Sequence, residues 1–175
     1  WEENVRKVVP YVPGEQPKMQ NLIKLNTNEF PYPPAPAVQK AIAEFDYDKL
    51  RLYSDPCITD LTAAVAGLYG LKPENAFVGV GSDDVLAMAF LTFFNSDKKI
   101  LFPDITYSFY DVWADLYRIP YEMQPLMEDF FIRKEDYFKE NGGVILANPN
   151  APTGVEADLC VIEEVIQKNP DVVVI

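Results

Sequence analysis

The chain contains no histidine. That absence excludes Ser-His-Asp and Cys-His nucleophilic machinery and removes the commonest ligand of transition-metal sites. Cysteine is nearly as scarce. Cys57 and Cys160 stand too far apart in sequence, and are too few, for a disulfide framework or a zinc site. They read as free thiols of a reducing cytoplasm. Positive charge is short as well: 15 Lys and Arg face 27 Asp and Glu, for a formal net charge of -12. So acidic a surface argues against a nucleic-acid partner, because phosphate backbones need a basic footprint. It does not argue against a small phosphate-bearing molecule, which a few backbone N–H groups can hold. No apolar run approaches the roughly 20 residues of a membrane span, and no signal-peptide pattern opens the chain. The expectation is a soluble, cytoplasmic protein without a membrane partner.

What is present is apolar material for a core, at 49% of 175 residues. Residues 1–36 hold Pro10, Pro13, Pro17, Pro31, Pro33, Pro34 and Pro36 and show little periodicity. They read as an extended N-terminal arm with one short strand at Leu22–Leu25. Residues 37–175 read as one folded region. Helices are expected over Ala37–Phe45, Asp60–Tyr69 (closed by Gly70), Ser82–Phe94 (capped by Ser82 or Asp83), Tyr107–Tyr117, Lys134–Glu140 and Asp158–Gln167. Strands are expected over Ala76–Val80, Lys99–Phe102, Ile119–Gln124, Val144–Ala147 and Val172–Ile175. The alternation implies βαβ units in an α/β fold, with a mainly parallel sheet flanked by helices. The Val172–Ile175 run suits a strand buried on both faces, and a domain seldom stops on one. The sheet is therefore expected to be incomplete.

Four stretches could carry chemistry. Gly79-Val-Gly-Ser-Asp-Asp84 lies between a strand and a helix. It is either an ordinary capped helix start or a cradle for one phosphate group, built from unpaired N–H groups and a helix dipole. It is neither a P-loop nor a full dinucleotide fingerprint. Asn148-Pro-Asn-Ala-Pro-Thr-Gly154 follows a buried strand. Its prolines make a rigid turn, which is either a plain connection or a device for aiming an Asn at a ligand. Tyr107 follows another strand and is either a core residue or a stacking surface for a planar ring. Leu25-Asn-Thr-Asn-Glu-Phe-Pro-Tyr32 and Arg51-Leu-Tyr-Ser-Asp-Pro56 are turns with exposed tyrosines, from which no chemistry can be read unaided.

In order and separation, these stretches resemble the fold-type-I (class I/II) aminotransferases that use pyridoxal 5'-phosphate (PLP), and most closely the histidinol-phosphate aminotransferase family. Leu25–Tyr32 is similar to the family's Leu-Asn-x-Asn-Glu-Asn-Pro-Tyr, and Arg51–Pro56 to its Arg-Tyr-Pro-Asp-Pro. Gly79–Asp84 is similar to Gly-x-Gly-Ser-Asp-Glu, Ile105–Tyr110 to Pro-Thr-Tyr-Ser-x-Tyr, and Asn148–Gly154 to Asn-Pro-Asn-Asn-Pro-Thr-Gly. The resemblance spans essentially the whole chain. It implies the first part of a PLP-binding large domain over residues 37–175. It also implies that the backbone of Ser82, Asp83 and Asp84 holds the cofactor phosphate and that Tyr107 stacks on its ring. Tyr53 would reach the phosphate of a partner's cofactor across a homodimer. Tyr11, Asn28 and Tyr32 would lie near substrate, and an Asn of the 148–154 turn would meet the cofactor's 3-oxygen. Asn150 is the candidate for that contact, since Ala151 stands where the family places its Asn. Phe30 and Ser54 are further departures.

The resemblance also implies a Schiff-base Lys, an Asp for the pyridinium nitrogen and an Arg for the substrate carboxylate, all in sequence after a strand matching Val172–Ile175. No lysine here has the matching context, so no catalytic residue is expected within these 175. The reading is the N-terminal part of an aminotransferase acting on an amino acid or histidinol phosphate and a 2-oxo acid, and inactive alone. The alternative is a non-catalytic or engineered α/β module that binds or assembles. A sugar- or nucleotide-binding domain, resting on Gly79–Asp84 only, ranks last.

Overall fold

The computed structural model describes residues 1–9, 14, 15, 17–19 and 21–175. Among them are five α-helices: α1 (Pro36–Ala43), α2 (Thr59–Leu68), α3 (Ser82–Phe93), α4 (Tyr110–Tyr117) and α5 (Leu159–Lys168). Three strands accompany them: β1 (Ile100–Pro103), β2 (Tyr121–Gln124) and β3 (Gly143–Val144). Two compact units divide the chain. One is built on Gly79–Ile175 with the N-terminal residues, and the other on the segment ending at Val78.

The first unit carries the expected α/β architecture. Its sheet is parallel, in the order β2-β1-β3. β1 is central and buried along its whole length, as a strand covered on both faces must be. Ile100 lies opposite Tyr121 on one side and Gly143 on the other. The Val172–Ile175 run adds a further parallel rung outside β3, through a bridge between Val144 and Val174. The Leu146 N–H donates to Ile175 O at 2.8 Å and the Ile175 N–H to Val144 O at 2.9 Å.

Alternation along β1 sends residues to two faces. Ile100 and Phe102 join Phe90, Phe94, Tyr110, Ala114, Ile119 and Ile145 under α3 and α4. Leu101 joins Tyr137, Val144 and Val165 under α5. The first cluster is rich in aromatic pairs, with Phe90 edge-on to Phe94 at 5.4 Å and Phe102 edge-on to Tyr110 at 5.7 Å. Truncating such a ring to alanine typically costs about 3–5 kcal/mol. The second face closes on a buried amide pair. Asn141 Nδ2 donates to Asn169 Oδ1 at 2.7 Å, and Asn169 Nδ2 donates to Tyr137 O and Val165 O. Both amides are satisfied, so their burial pins the end of α5 without a desolvation penalty.

The second unit is more open. Among its described residues only Ala66 is buried. α2 ends as expected at Gly70, which sits at φ 66. The Leu71 N–H reaches back to Ala66 O and the Gly70 N–H to Gly67 O, the double closure that a glycine just past a helix end permits.

Several expected elements are shorter or absent. Neither Leu22–Leu25 nor Ala76–Val80 is a strand. A strand exists only through its ladder, and these runs have no ladder partner among the described residues. α4 begins at Tyr110 rather than Tyr107, and the Lys134–Glu140 helix is one 3₁₀ turn over Lys134–Tyr137. The cap of α3 is neither Ser82 nor Asp83 but Gly81, at φ 87 and ψ 170. That backbone region is strained for any residue with a Cβ, so the helix starts immediately after it.

Candidate functional site

The loop that leaves the buried strand β1 is Asp104-Ile-Thr-Tyr107. It cannot continue as strand, because β2 ends opposite Pro103. Its three last residues are each tied to another sequence motif. The Tyr107 hydroxyl donates to Asp83 Oδ1 at 2.7 Å, on the first turn of α3. The Thr106 hydroxyl donates to Asn150 Oδ1 at 2.8 Å, and Asn150 Nδ2 donates to Ile105 O at 2.9 Å. Gly79–Asp84, Tyr107 and Asn148–Gly154 therefore meet at the C-terminal end of β1, the crevice in which α/β sheets build their sites.

The first turn of α3 leaves the N–H groups of Ser82, Asp83 and Asp84 without an earlier helical carbonyl to bond. Ser82 is exposed. The acidic side chains of that turn are both engaged. Asp83 receives Tyr107, and Asp84 Oδ2 accepts the Val80 N–H at 3.0 Å. A Cβ on Gly79 would lie 2.7 Å from Asp84 Oδ2 and 2.9 Å from Val85 Cγ2, so a larger residue there would displace the Asp84 carboxylate. Tyr107 is partly buried against the aromatic core. It stacks on Phe109 at 5.7 Å and 27° and meets Tyr110 edge-on at 5.7 Å.

The 148–154 turn is stitched from within. Asn150 is 8% exposed, and its second amide hydrogen goes to Thr153 Oγ1 at 3.0 Å. With Ile105 O that uses both hydrogens of the Asn150 amide. Asn148 is spent on Ala157, accepting its N–H at 2.9 Å and donating to its carbonyl at 3.1 Å. Ala151 is exposed and brings no polar group.

A family model for aminotransferase class I and II matches residues 20–175. This chain belongs to the class I and II aminotransferases. Two curated relatives of this chain are histidinol-phosphate aminotransferases. That of Lactococcus lactis subsp. cremoris is 50% identical over all 175 residues, and that of Hydrogenovibrio crunogenus 54%. The chain spans 49% of the length of each. Among solved structures, a histidinol-phosphate aminotransferase from Sinorhizobium meliloti, in complex with pyridoxal-5'-phosphate, gives a TM-score of 0.68. It is 24% identical, over 77% of this chain and 38% of that one. An aminotransferase from Mycobacterium tuberculosis gives 0.66 at 20% identity, over 78% and 39%. These structural likenesses show the shared fold.

Three of the other expected site residues belong to the second unit. Tyr53, 95% exposed, and Tyr32, edge-on to Phe30 at 5.7 Å, belong to the second unit. So does Asn28, in a turn at φ 52. Tyr11 lies outside the described residues. Thr106, Ile105 and Thr153 were not singled out from sequence. The signals for Thr106 are a hydroxyl next to Tyr107 at a strand end and its match to the Thr of Pro-Thr-Tyr-Ser-x-Tyr. No cluster of three or more His, Cys, Asp or Glu could hold a metal among the described residues. No helix among them is long and apolar enough to cross a membrane.

Proposed function

We propose that this chain supplies the N-terminal part of a PLP site that transfers an amino group between histidinol phosphate and 2-oxoglutarate. The observation that carries the reading is the meeting of three motifs on Ile105–Tyr107. Identity of 50% or more to the two curated relatives supports the choice of substrate.

The residues present suit the cofactor. The N–H groups of Ser82, Asp83 and Asp84 suit a phosphate dianion at a helix N-terminus. Asp84 turns its charge back onto Val80 and Asp83 onto Tyr107, so neither carboxylate is left unpaired towards that phosphate. Tyr107, its hydroxyl held by Asp83, is the candidate to stack on a planar ring. Asn150 would have to release Ile105 or Thr153 to donate to a ligand oxygen, so its first role is to hold the turn. When bound, the cofactor supplies an electron sink for the carbon that loses its proton. No residue of this chain is assigned the proton transfer itself.

Tyr53 is assigned to the phosphate of a partner's cofactor in a homodimer, and its exposure suits that reach. Asn28, Tyr32 and Tyr11 are assigned to substrate. The exposed thiols of Cys57 and Cys160 suit a reducing cytoplasm.

Reconstitution tests the reading. The chain is combined with the second half of the Lactococcus lactis relative and PLP, and glutamate formed from 2-oxoglutarate and histidinol phosphate is measured. Turnover is expected. The reading fails if the relative's own two halves reconstitute activity and this chain cannot replace the first.

A further inference from the structure

Three consecutive residues perform three separate attachments. Tyr107 grips α3 through Asp83, while Ile105 and Thr106 grip the 148–154 turn through Asn150. Of these, the Thr106 bond has a distinct consequence. An amide can present its oxygen or its nitrogen to either side. The Thr106 hydroxyl, donating at 2.8 Å, fixes the Asn150 oxygen on its own side. The nitrogen then faces Ile105 O and Thr153 Oγ1, at 2.9 and 3.0 Å. Asn150 also anchors the turn by its backbone: its N–H donates to Val155 O at 2.8 Å and its carbonyl accepts from Gly154 at 2.7 Å. This one side chain therefore ties the turn to the Tyr107 loop.

We infer that Thr106 is a positioning residue: its hydroxyl orients Asn150 and so holds the 148–154 turn on the Tyr107 loop, whose tyrosine would stack on a planar ring. The inference rests on the PLP-site reading above. It separates two parts of the site. The N–H groups of α3 would hold phosphate whatever Thr106 does, whereas ring stacking depends on how the Tyr107 loop is held.

Two probes make that separation measurable: pyridoxamine phosphate, which carries ring and phosphate but no aldehyde, and inorganic phosphate. Replacing Thr106→Val keeps the shape and removes the donor. Pyridoxamine phosphate should bind about fivefold to tenfold more weakly, the worth of one neutral hydrogen bond. Inorganic phosphate should bind unchanged, and Thr106→Ser should restore the ring-bearing probe. Without any ligand, the side-chain amide resonance of Asn150, assigned by its loss in Asn150→Asp, should move in Thr106→Val and return in Thr106→Ser. An unmoved resonance, or equal weakening of both probes, overturns the inference. Binding of neither probe by the unsubstituted chain overturns the site reading beneath it as well.

Discussion

Gly143 begins β3 at φ 149, and a Cβ built on it would lie 2.3 Å from Cε1 and 2.4 Å from Cδ1 of Phe94. Phe94 is fully buried and edge-on to Phe90, so its ring has nowhere to swing. Gly143→Ala should therefore destabilise the first unit by about 2 kcal/mol or more, from overpacking and backbone strain together. A denaturant midpoint checks this, and an unchanged midpoint would refute the packing account. Nothing in sequence marked Gly143, because the conflict is with a residue 49 positions earlier that only folding brings near. The residues of the Gly79–Asp84 loop were legible, since its glycines and acidic side chains are neighbours in sequence. Thr106 was not, because its partner Asn150 lies 44 residues away.

Elements follow the periodicity of their residues until a tertiary bond competes. The pattern extends a helix back to Tyr107, but Ile105–Tyr107 is drawn out by Asn150 and Asp83, and α4 starts at Tyr110. Strand β2 shows a second competition, between charges. Glu122 is held by Lys139, Gln124 and Lys99, the last at 3.3 Å. Chiefly through Lys139, then Gln124 and Lys99, its carboxyl is pulled from 4.5 down to about 2. A depressed carboxyl stabilises the fold above its ordinary value, and that contribution is lost as pH falls from about 4.5 towards 2. Glu122→Gln should flatten this part of the thermal midpoint against pH. Because the group is exposed, 1 M salt should flatten it too. A profile that neither the substitution nor high salt changes would refute the assignment.

The two units differ in how much they bury. The first contains Ile100, Leu101, Phe102, Phe90 and Ile145, each at 0–1% exposure. In the second, Ile42, Leu50 and Leu68 remain 63–80% exposed. Opening free energy tracks buried apolar contact. Amide exchange should therefore be slowest at Ile100–Phe102 and Ile145 and much faster along α1 and α2. Equal protection in both units would contradict this. Exposed apolar helix faces also favour association.

Residue order alone was enough for the α/β class, the parallel sheet, most helix positions and the motifs of a class I and II aminotransferase. Each depends on neighbours within a few turns or on short fixed spacings, which a chain carries before it folds. What folding decided was which motifs meet and which groups are already engaged. Asp83 is bound to Tyr107, both Asn150 amide hydrogens are used, and Ala76–Val80 has no ladder among the described residues. Those outcomes depend on hydrogen bonds between segments tens of residues apart. Such bonds need the loops at the end of β1 to be brought together, which spacing along the chain does not reveal.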